Sequence, residues 1–431
     1  MISHRVRVAQ STQSPACGRA RANDWRRATE GPSQLRPAWA ACLIACVLTF
    51  TPIASARGEA GAPNPVTVHF RASQEAIRRG DLATAENEAA SALAVSVERY
   101  GDGGRTAVLA VNLAQLRIAL RQYPRAVEPA RLALRLSEAN QAAAGIDPRF
   151  ARLLLAQAEL HDGGVPEAER LEQAIVEAKN EPAMQADVLA ASIELGKRAL
   201  AEERHRQARV AWATAVELLE PQASPNSLSL AQARLGLAAA GILELARAEA
   251  GNTLNGRLGP TGAYREYAEL LVQVIDGVAE LALAASDPEA APRAQSLFAQ
   301  AIAWRGVVKA KLKSENRGIQ RPPEPRNWGL EIGAARHALP SCDADVIANP
   351  EPPYPPAKLV SGGVGAVVLR VRFSESGQVE QSRVEAAVGG ESFSDAVSDV
   401  ASQWRLVKRD PGATGCRLAR ERFLSVTYSF D

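Results

Sequence analysis

Gly80-Asp81-Leu82-Ala83-Thr84-Ala85-Glu86 decides the fold, because its pattern returns three times along the chain. Its counterparts are Arg121-Gln122-Tyr123-Pro124-Arg125-Ala126-Val127, Gly163-Gly164-Val165-Pro166-Glu167-Ala168-Glu169 and Arg204-His205-Arg206-Gln207-Ala208-Arg209. The aligned alanines fall at 85, 126, 168 and 208, separated by 41, 42 and 40 residues. Seven residues after each comes another small or apolar residue: Ala92, Ala133, Ile175 and Ala215. Self-similarity at a fixed period with helical patterning specifies an array of helical hairpins. Each turn (Gly80-Asp81, Gln122-Tyr123, Gly163-Gly164, His205-Arg206) divides a first helix from a second. The alanine opening the second helix falls where the two helices touch, and a bulky side chain there would hold them apart. Further helices are expected over 227–250, 263–285 and 292–313; they keep apolar periodicity but lose the repeat spacing, as terminal repeats do.

The recurring small positions, from about Val66 to Lys313, resemble tetratricopeptide repeats of a long-spaced kind. The steps are near forty-two where the usual repeat has roughly thirty-four. The Trp and Tyr of the consensus first helix are missing. A helical bundle with accidental periodicity is the competing reading.

The last ninety or so residues follow a different period. Tyr354-Pro355-Pro356 is followed by the run Gly365–Phe373, then Ser374-Glu375-Ser376-Gly377, then a second run, Gln378–Glu385. Two alternating runs joined by a short glycine-containing turn specify a β-hairpin. A helical stretch ending in Trp404-Arg405-Leu406 comes next, then a turn at Asp410-Pro411-Gly412 and the alternating run Phe423–Phe430. The expected order is β-β-α-β. Val367, Leu369, Val371 and Phe373 share one strand face, with Arg370 and Arg372 on the other. Phe393, Val397, Val400, Ala401 and Trp404 recur at helical spacing and would cover the sheet, which makes Trp404 a core residue.

This order, from Pro353 to Phe430, resembles the C-terminal domain of TonB-family energy transducers. In that family the final strand lies at a sheet edge, where a partner's short segment pairs with it as an added strand. The resemblance therefore implies a docking edge at Leu424, Ser425, Val426, Thr427, Tyr428, Ser429 and Phe430. Tyr354-Pro355 matches the family's Tyr-Pro segment, with a plain turn as the alternative. Leu406 stands where the family carries an aromatic. The implied partners are proteins, among them outer-membrane TonB-dependent transporters.

The N-terminus reads as a leader. Seven arginines between Arg5 and Arg36 precede the apolar run Ala38–Phe50, Pro52 breaks it, and Ala54-Ser55-Ala56 supplies a small-x-small cleavage pattern. The alternative is an uncleaved inner-membrane anchor facing the periplasm, since the run is nearly long enough to span a bilayer. Only retention would give membrane contact, and cleavage would remove the helix through which a transducer meets its proton-driven motor. Leu43-Ile44-Ala45-Cys46 lacks the end of a lipoprotein box, and Arg26-Arg27 lacks the rest of a twin-arginine motif. Of five cysteines, cleavage leaves Cys342 and Cys416, and an even pair in an oxidising compartment is expected to be a disulfide.

Lysines and arginines number 50 against 48 acidic residues, so no global field favours nucleic acid. Residues 341–431 carry ten basic and twelve acidic side chains. The five histidines are scattered, and neither a metal nor another cofactor is expected. No nucleophile elbow, phosphate loop or zinc-protease motif is present. Glu202-Glu203 lies in an arginine-rich helical surface, and Gly389-Gly390-Glu391-Ser392 lacks a lysine and is better read as a helix start capped by Ser392. No enzyme is expected.

The sequence thus specifies an α+β multidomain chain: a signal peptide over 1–56, an all-α tetratricopeptide-like array over 66–313, a proline-bearing linker over 314–340 and a β-β-α-β domain over 341–431. The functional expectation is a periplasmic docking protein that binds envelope partners by strand addition. The alternative is a periplasmic tetratricopeptide adaptor that binds peptide or protein and has no part in energy transduction.

Overall fold

The computed structural model describes residues 4–12, 64–139, 145–161, 164–223, 227–253, 261–284, 290–314, 342–361, 363–418 and 421–430. Most of the expected leader and, of the expected 314–340 linker, residues 315–340 lie outside the described residues. The chain divides into two compact units, one formed by residues 27–195 and the other by residues 1–26 with 196–431.

The first unit is built from helix pairs: α1 (Pro65–Arg78) with α2 (Leu82–Tyr100), α3 (Gly104–Ala119) with α4 (Tyr123–Ala139), and α5 (Pro148–Leu160) with α6 (Val165–Ala178). The first unit ends within helix α7 (Gln185–Ala201), and α8 (His205–Leu219) belongs to the second. Ala85, Ala126, Ala168 and Ala208 are all fully buried, as are Ala92, Ala133 and Ala215, with Ile175 nearly so. At the first seam the Ser73 hydroxyl of α1 donates to the Ala85 carbonyl at 2.9 Å, a distance that only small side chains permit. Asn64, Asp81 and Asp147 cap α1, α2 and α5 by accepting from backbone amides in the first turn.

Three of the hairpin turns share one geometry. Gly80, Arg121 and Glu203 each take a left-handed conformation, with φ of 75°, 58° and 59°. In each case that residue and the next donate back to the preceding helix: Gly80 to Ile77 and Asp81 to Ala76, Arg121 to Ile118 and Gln122 to Arg117, Glu203 to Leu200 and Arg204 to Ala199. This closes a helix C-terminus as a glycine normally does, yet two of the three positions carry long side chains.

In the second unit, α8 packs on α9 (Leu228–Thr253), α9 on α10 (Thr261–Ala284), and α10 on α11 (Ala290–Ser314). The stretch Leu228–Glu249 is long and apolar enough to cross a bilayer, and half of it is buried in this core. Trp212 of α8 is buried because Gly196 and Gly236 leave room for its indole; a Cβ on Gly236 would stand 2.4 Å from the ring.

The sheet follows. The strands are β1 (His4–Thr12), β2 (Ala344–Ile347), β3 (Gly365–Phe373), β4 (Val379–Val388), β5 (Arg405–Lys408) and β6 (Glu421–Phe430); α12 (Pro356–Ser361) precedes β3 and α13 (Glu391–Ala401) follows β4. The main sheet has the order β1-β6-β3-β4, all antiparallel, while β2 and β5 pair separately. The expected hairpin is present. Gly377 (φ 79°) turns it, and its carbonyl accepts from Leu406 at 2.8 Å, so a Cβ there would collide with the Leu406 backbone.

Three expectations are corrected. The helix ends at Ala401, and Arg405-Leu406 open strand β5, whose pairing with β2 outweighs a further helical turn. Its N-cap is Gly390 and not Ser392, with no side-chain cap. The order β-β-α-β gains β1, β2, α12 and β5.

Both faces of the sheet are covered. Val367, Leu369, Val371 and Phe373 pack under α13 with Phe393, Val397, Ala401 and Trp404. Ala366, Val368, Ala386 and Phe423 join Phe298, Ile302, Val308 and other residues of α9–α11 on the opposite face. Helix α11 is buried on all sides from Ala301 to Val308, which fits its place between a helix layer and a sheet. Arg370 of β3, under α11, donates to Gln295, pairs with Glu385 at 2.9 Å and lies over the Phe423 ring.

Candidate functional site

The candidate docking strand, β6, alternates as expected. Leu424, Val426 and Tyr428 are fully buried in the α13-side core, opposite Leu369, Val367 and Gly365 of β3. Ser425, Thr427 and Ser429 take the other face, where Thr427 meets Gly306 of α11 so closely that a Cβ on Gly306 would stand 2.8 Å from its hydroxyl. The Phe430 backbone belongs to the strand; its side chain lies outside the described residues.

β6 is not an edge. The resemblance to the TonB family implied an open edge here. Instead β1 pairs along its whole outer side, from His4 opposite Phe430 to Thr12 opposite Arg422. Pairing with β3 ends at Tyr428, so Ser429 and Phe430 pair with β1 alone. The sheet's outer strands are β1 and β4.

Tyr354 and Pro355 are brought to this strand from the inside. The Tyr354 ring meets Tyr428 edge-on at 5.4 Å and Phe393 at 5.8 Å, and its hydroxyl donates to the Gly363 carbonyl. Burial raises the Tyr354 phenol to about 12. Pro355 is buried, and its carbonyl accepts from Lys358 and Leu359 to open α12. The pair serves as a packed turn beneath β6 and presents little surface. Tyr428 is raised further, by burial first and by Tyr354 second, and its hydroxyl is buried without a hydrogen-bond partner. Trp404 is fully buried and donates its indole N–H to the Pro350 carbonyl at 3.1 Å. Cys342 and Cys416 are bonded to each other, and Cys342 N–H donates to the Arg417 carbonyl at 2.8 Å. The bond ties the lead-in of β2 to the lead-in of β6.

β1 is the residue set that sequence reasoning missed. Its signal was present: Arg5-Val6-Arg7-Val8 alternates with period two, a strand pattern, but arginines ahead of an apolar run were read as leader.

The array offers a second surface. Phe70 and Ile77 of α1, Leu82 of α2, and Leu109 and Leu116 of α3 line a small apolar cleft, with Asn112 at its rim. Further along the array, Gln115 donates to Asp187 at 3.3 Å, and burial raises that carboxyl to about 6. Gln157 donates to Glu194, which also holds the buried Tyr123 hydroxyl; Tyr123 stacks on His161 at 4.8 Å. Among the described residues no cluster of metal-ligating side chains occurs.

No family model and no curated protein matches this chain. Among solved structures, it is similar to kinesin light chain tetratricopeptide-like repeats of Podosopora anserina, with 18% identity, TM-score 0.36, and 51% of this chain and 99% of that one covered. BtubC of P. vanneervenii is similar at 16% identity and TM-score 0.31, covering 60% of this chain and 94% of that one. The hairpin array rests on the helix pairing described above and not on these matches.

Proposed function

We propose that this chain is an exported, non-enzymatic protein-interaction protein. Its tetratricopeptide-like array is a scaffold, and its C-terminal module, of the TonB C-terminal kind, docks an envelope partner by strand addition at β6. One observation carries the reading. Among the described residues, the outer side of β6 is completed by residues 4–12 alone, whereas β3, β4 and the helices directly on the two sheet faces, α11 and α13, come from residues 290–401. Cleavage after Ala56 would take β1 away and leave a row of unpaired N–H and C=O groups, which is a template for an added strand.

The TonB-like reading is supported by order and position. Tyr354-Pro355, the strand opened by Gly365, the Gly377 turn, α13, Trp404-Arg405 and a final strand follow one another, with Trp404 at the centre of the core. A periplasmic location is supported by the bonded cysteines, since disulfides persist in oxidising compartments. Outer-membrane transporters are the proposed partners. The adaptor reading is favoured by the cleft between α1 and α3, which would place docking in the array instead.

Because Ser429 pairs with β1 and not with β3, Ser429→Pro perturbs the outer side of β6 while sparing the rest of the sheet. The exported protein and its Ser429→Pro and Ser429→Ala variants would be purified with their envelope partners and the partners quantified. Partners kept by Ser429→Ala and lost by Ser429→Pro support strand addition. Partners kept by Ser429→Pro but lost on Leu109→Glu in the cleft would assign docking to the array.

A further inference from the structure

β1 and β6 pair over nine consecutive positions without a shift of register, whereas the β3–β4 pairing shifts twice. Val6 and Val8 lie opposite Tyr428 and Val426, the β6 residues on the α13 side. Arg5, Arg7 and Ala9 lie opposite Ser429, Thr427 and Ser425. Branched apolar residues suit strands, and the register places Val6 and Val8 opposite apolar residues of β6. The leader thus has the composition and register of a strand made for this place, although export alone asks only for basic charge.

We propose that β1 is a built-in stand-in for the partner strand. In the unprocessed chain it occupies the docking side of β6, and removal of the leader vacates that side. The inference rests on the strand-addition reading and adds two things to it. It names the partner's chemistry: an extended segment, antiparallel to β6, with β-branched apolar residues at alternate positions opposite Val426 and Tyr428 and polar or basic residues between them. It also names a control, since a covalently attached strand competes with a free partner for the same side of β6 without having to find it in solution.

The test uses the full chain, its Val6→Pro/Val8→Pro variant and a labelled peptide of sequence HRVRVAQST. Amide exchange over 421–430 and peptide binding by fluorescence anisotropy are read together. The expected result is at least tenfold faster exchange of the outward β6 amides in the variant, with peptide bound at least tenfold more tightly than by the unmodified chain. A scrambled peptide without alternation should bind at least tenfold more weakly. Equal peptide binding to both proteins with unchanged β6 exchange would overturn the stand-in role and leave strand addition intact. Faster exchange with no peptide binding to either protein would overturn the inference and the docking reading together. Equal binding of the scrambled peptide would remove the proposed partner pattern.

Discussion

Reducing the Cys342–Cys416 bond is the perturbation whose magnitude is best defined. The bond joins residues 74 apart and encloses β2, α12, β3, β4, α13 and β5. With a closed loop of about 75 residues, the chain-entropy model gives about 4.5 kcal/mol of stabilisation through the unfolded state. The native contacts remain when the bond opens, because β2–β5 pairing and the Cys342–Arg417 backbone bond do not depend on it. For a unit of this size each kcal/mol moves the midpoint by about 2–4 °C, so the expected fall is about 9–18 °C. Calorimetry with and without reductant measures it, and the array supplies an internal control because residues 64–195 contain no cysteine. The transition of the C-terminal unit should drop while that of the array stays in place. Both transitions moving together, or neither moving by more than a couple of degrees, would refute the reasoning.

Four substitutions probe other parts. Arg121→Gly should stabilise the array by about 0.5–1 kcal/mol, because Arg121 sits at φ 58° where a side chain is strained; Gly80→Ala, at φ 75°, should do the reverse, and urea titration of both checks the opposite signs. Asp187 is raised in the folded state to about 6, chiefly by burial, so its contribution is most favourable below about pH 4 and is lost as pH rises through 6. Asp187→Asn should therefore raise array stability at pH 7 by about 1–2 kcal/mol, discounted for partial exposure, and change little at pH 4, as thermal melts at the two pH values would show. Tyr428→Phe removes a buried hydroxyl that has no partner and should leave stability unchanged or raise it by about 1 kcal/mol, whereas a measured loss above that would mean the hydroxyl is satisfied.

The array was legible because its constraint is local and repeated: Ala85, Ala126, Ala168 and Ala208 must be small wherever two helices touch. The left-handed turns were half legible, since Gly80 announces one and Arg121 and Glu203 conceal the same conformation behind ordinary side chains. The hairpin and the buried Trp404 followed from period and spacing. The helix end at Ala401 did not, because Trp404 lies in phase with the helix and only the β2 partner of Arg405–Lys408 decides where the strand begins. Helix α11 carried a readable signal in Ala301–Val308, which is apolar around the helix except for Arg305, whereas a helix facing one neighbour shows a single apolar stripe. β1 was hidden by competition between two readings of the same arginines, and pairing across more than 400 residues leaves no local trace.

The central claim is that the outer side of β6 is a docking side filled only by the N-terminal strand. Amide exchange over Glu421–Phe430, compared between the full chain and the chain isolated after export, tests it most directly. The account predicts that the amides directed toward β3 stay protected in both forms. Those directed outward should lose protection after export and regain it when the HRVRVAQST peptide is added. Equal protection of the whole strand in both forms, or outward amides that the peptide leaves unprotected, would contradict it.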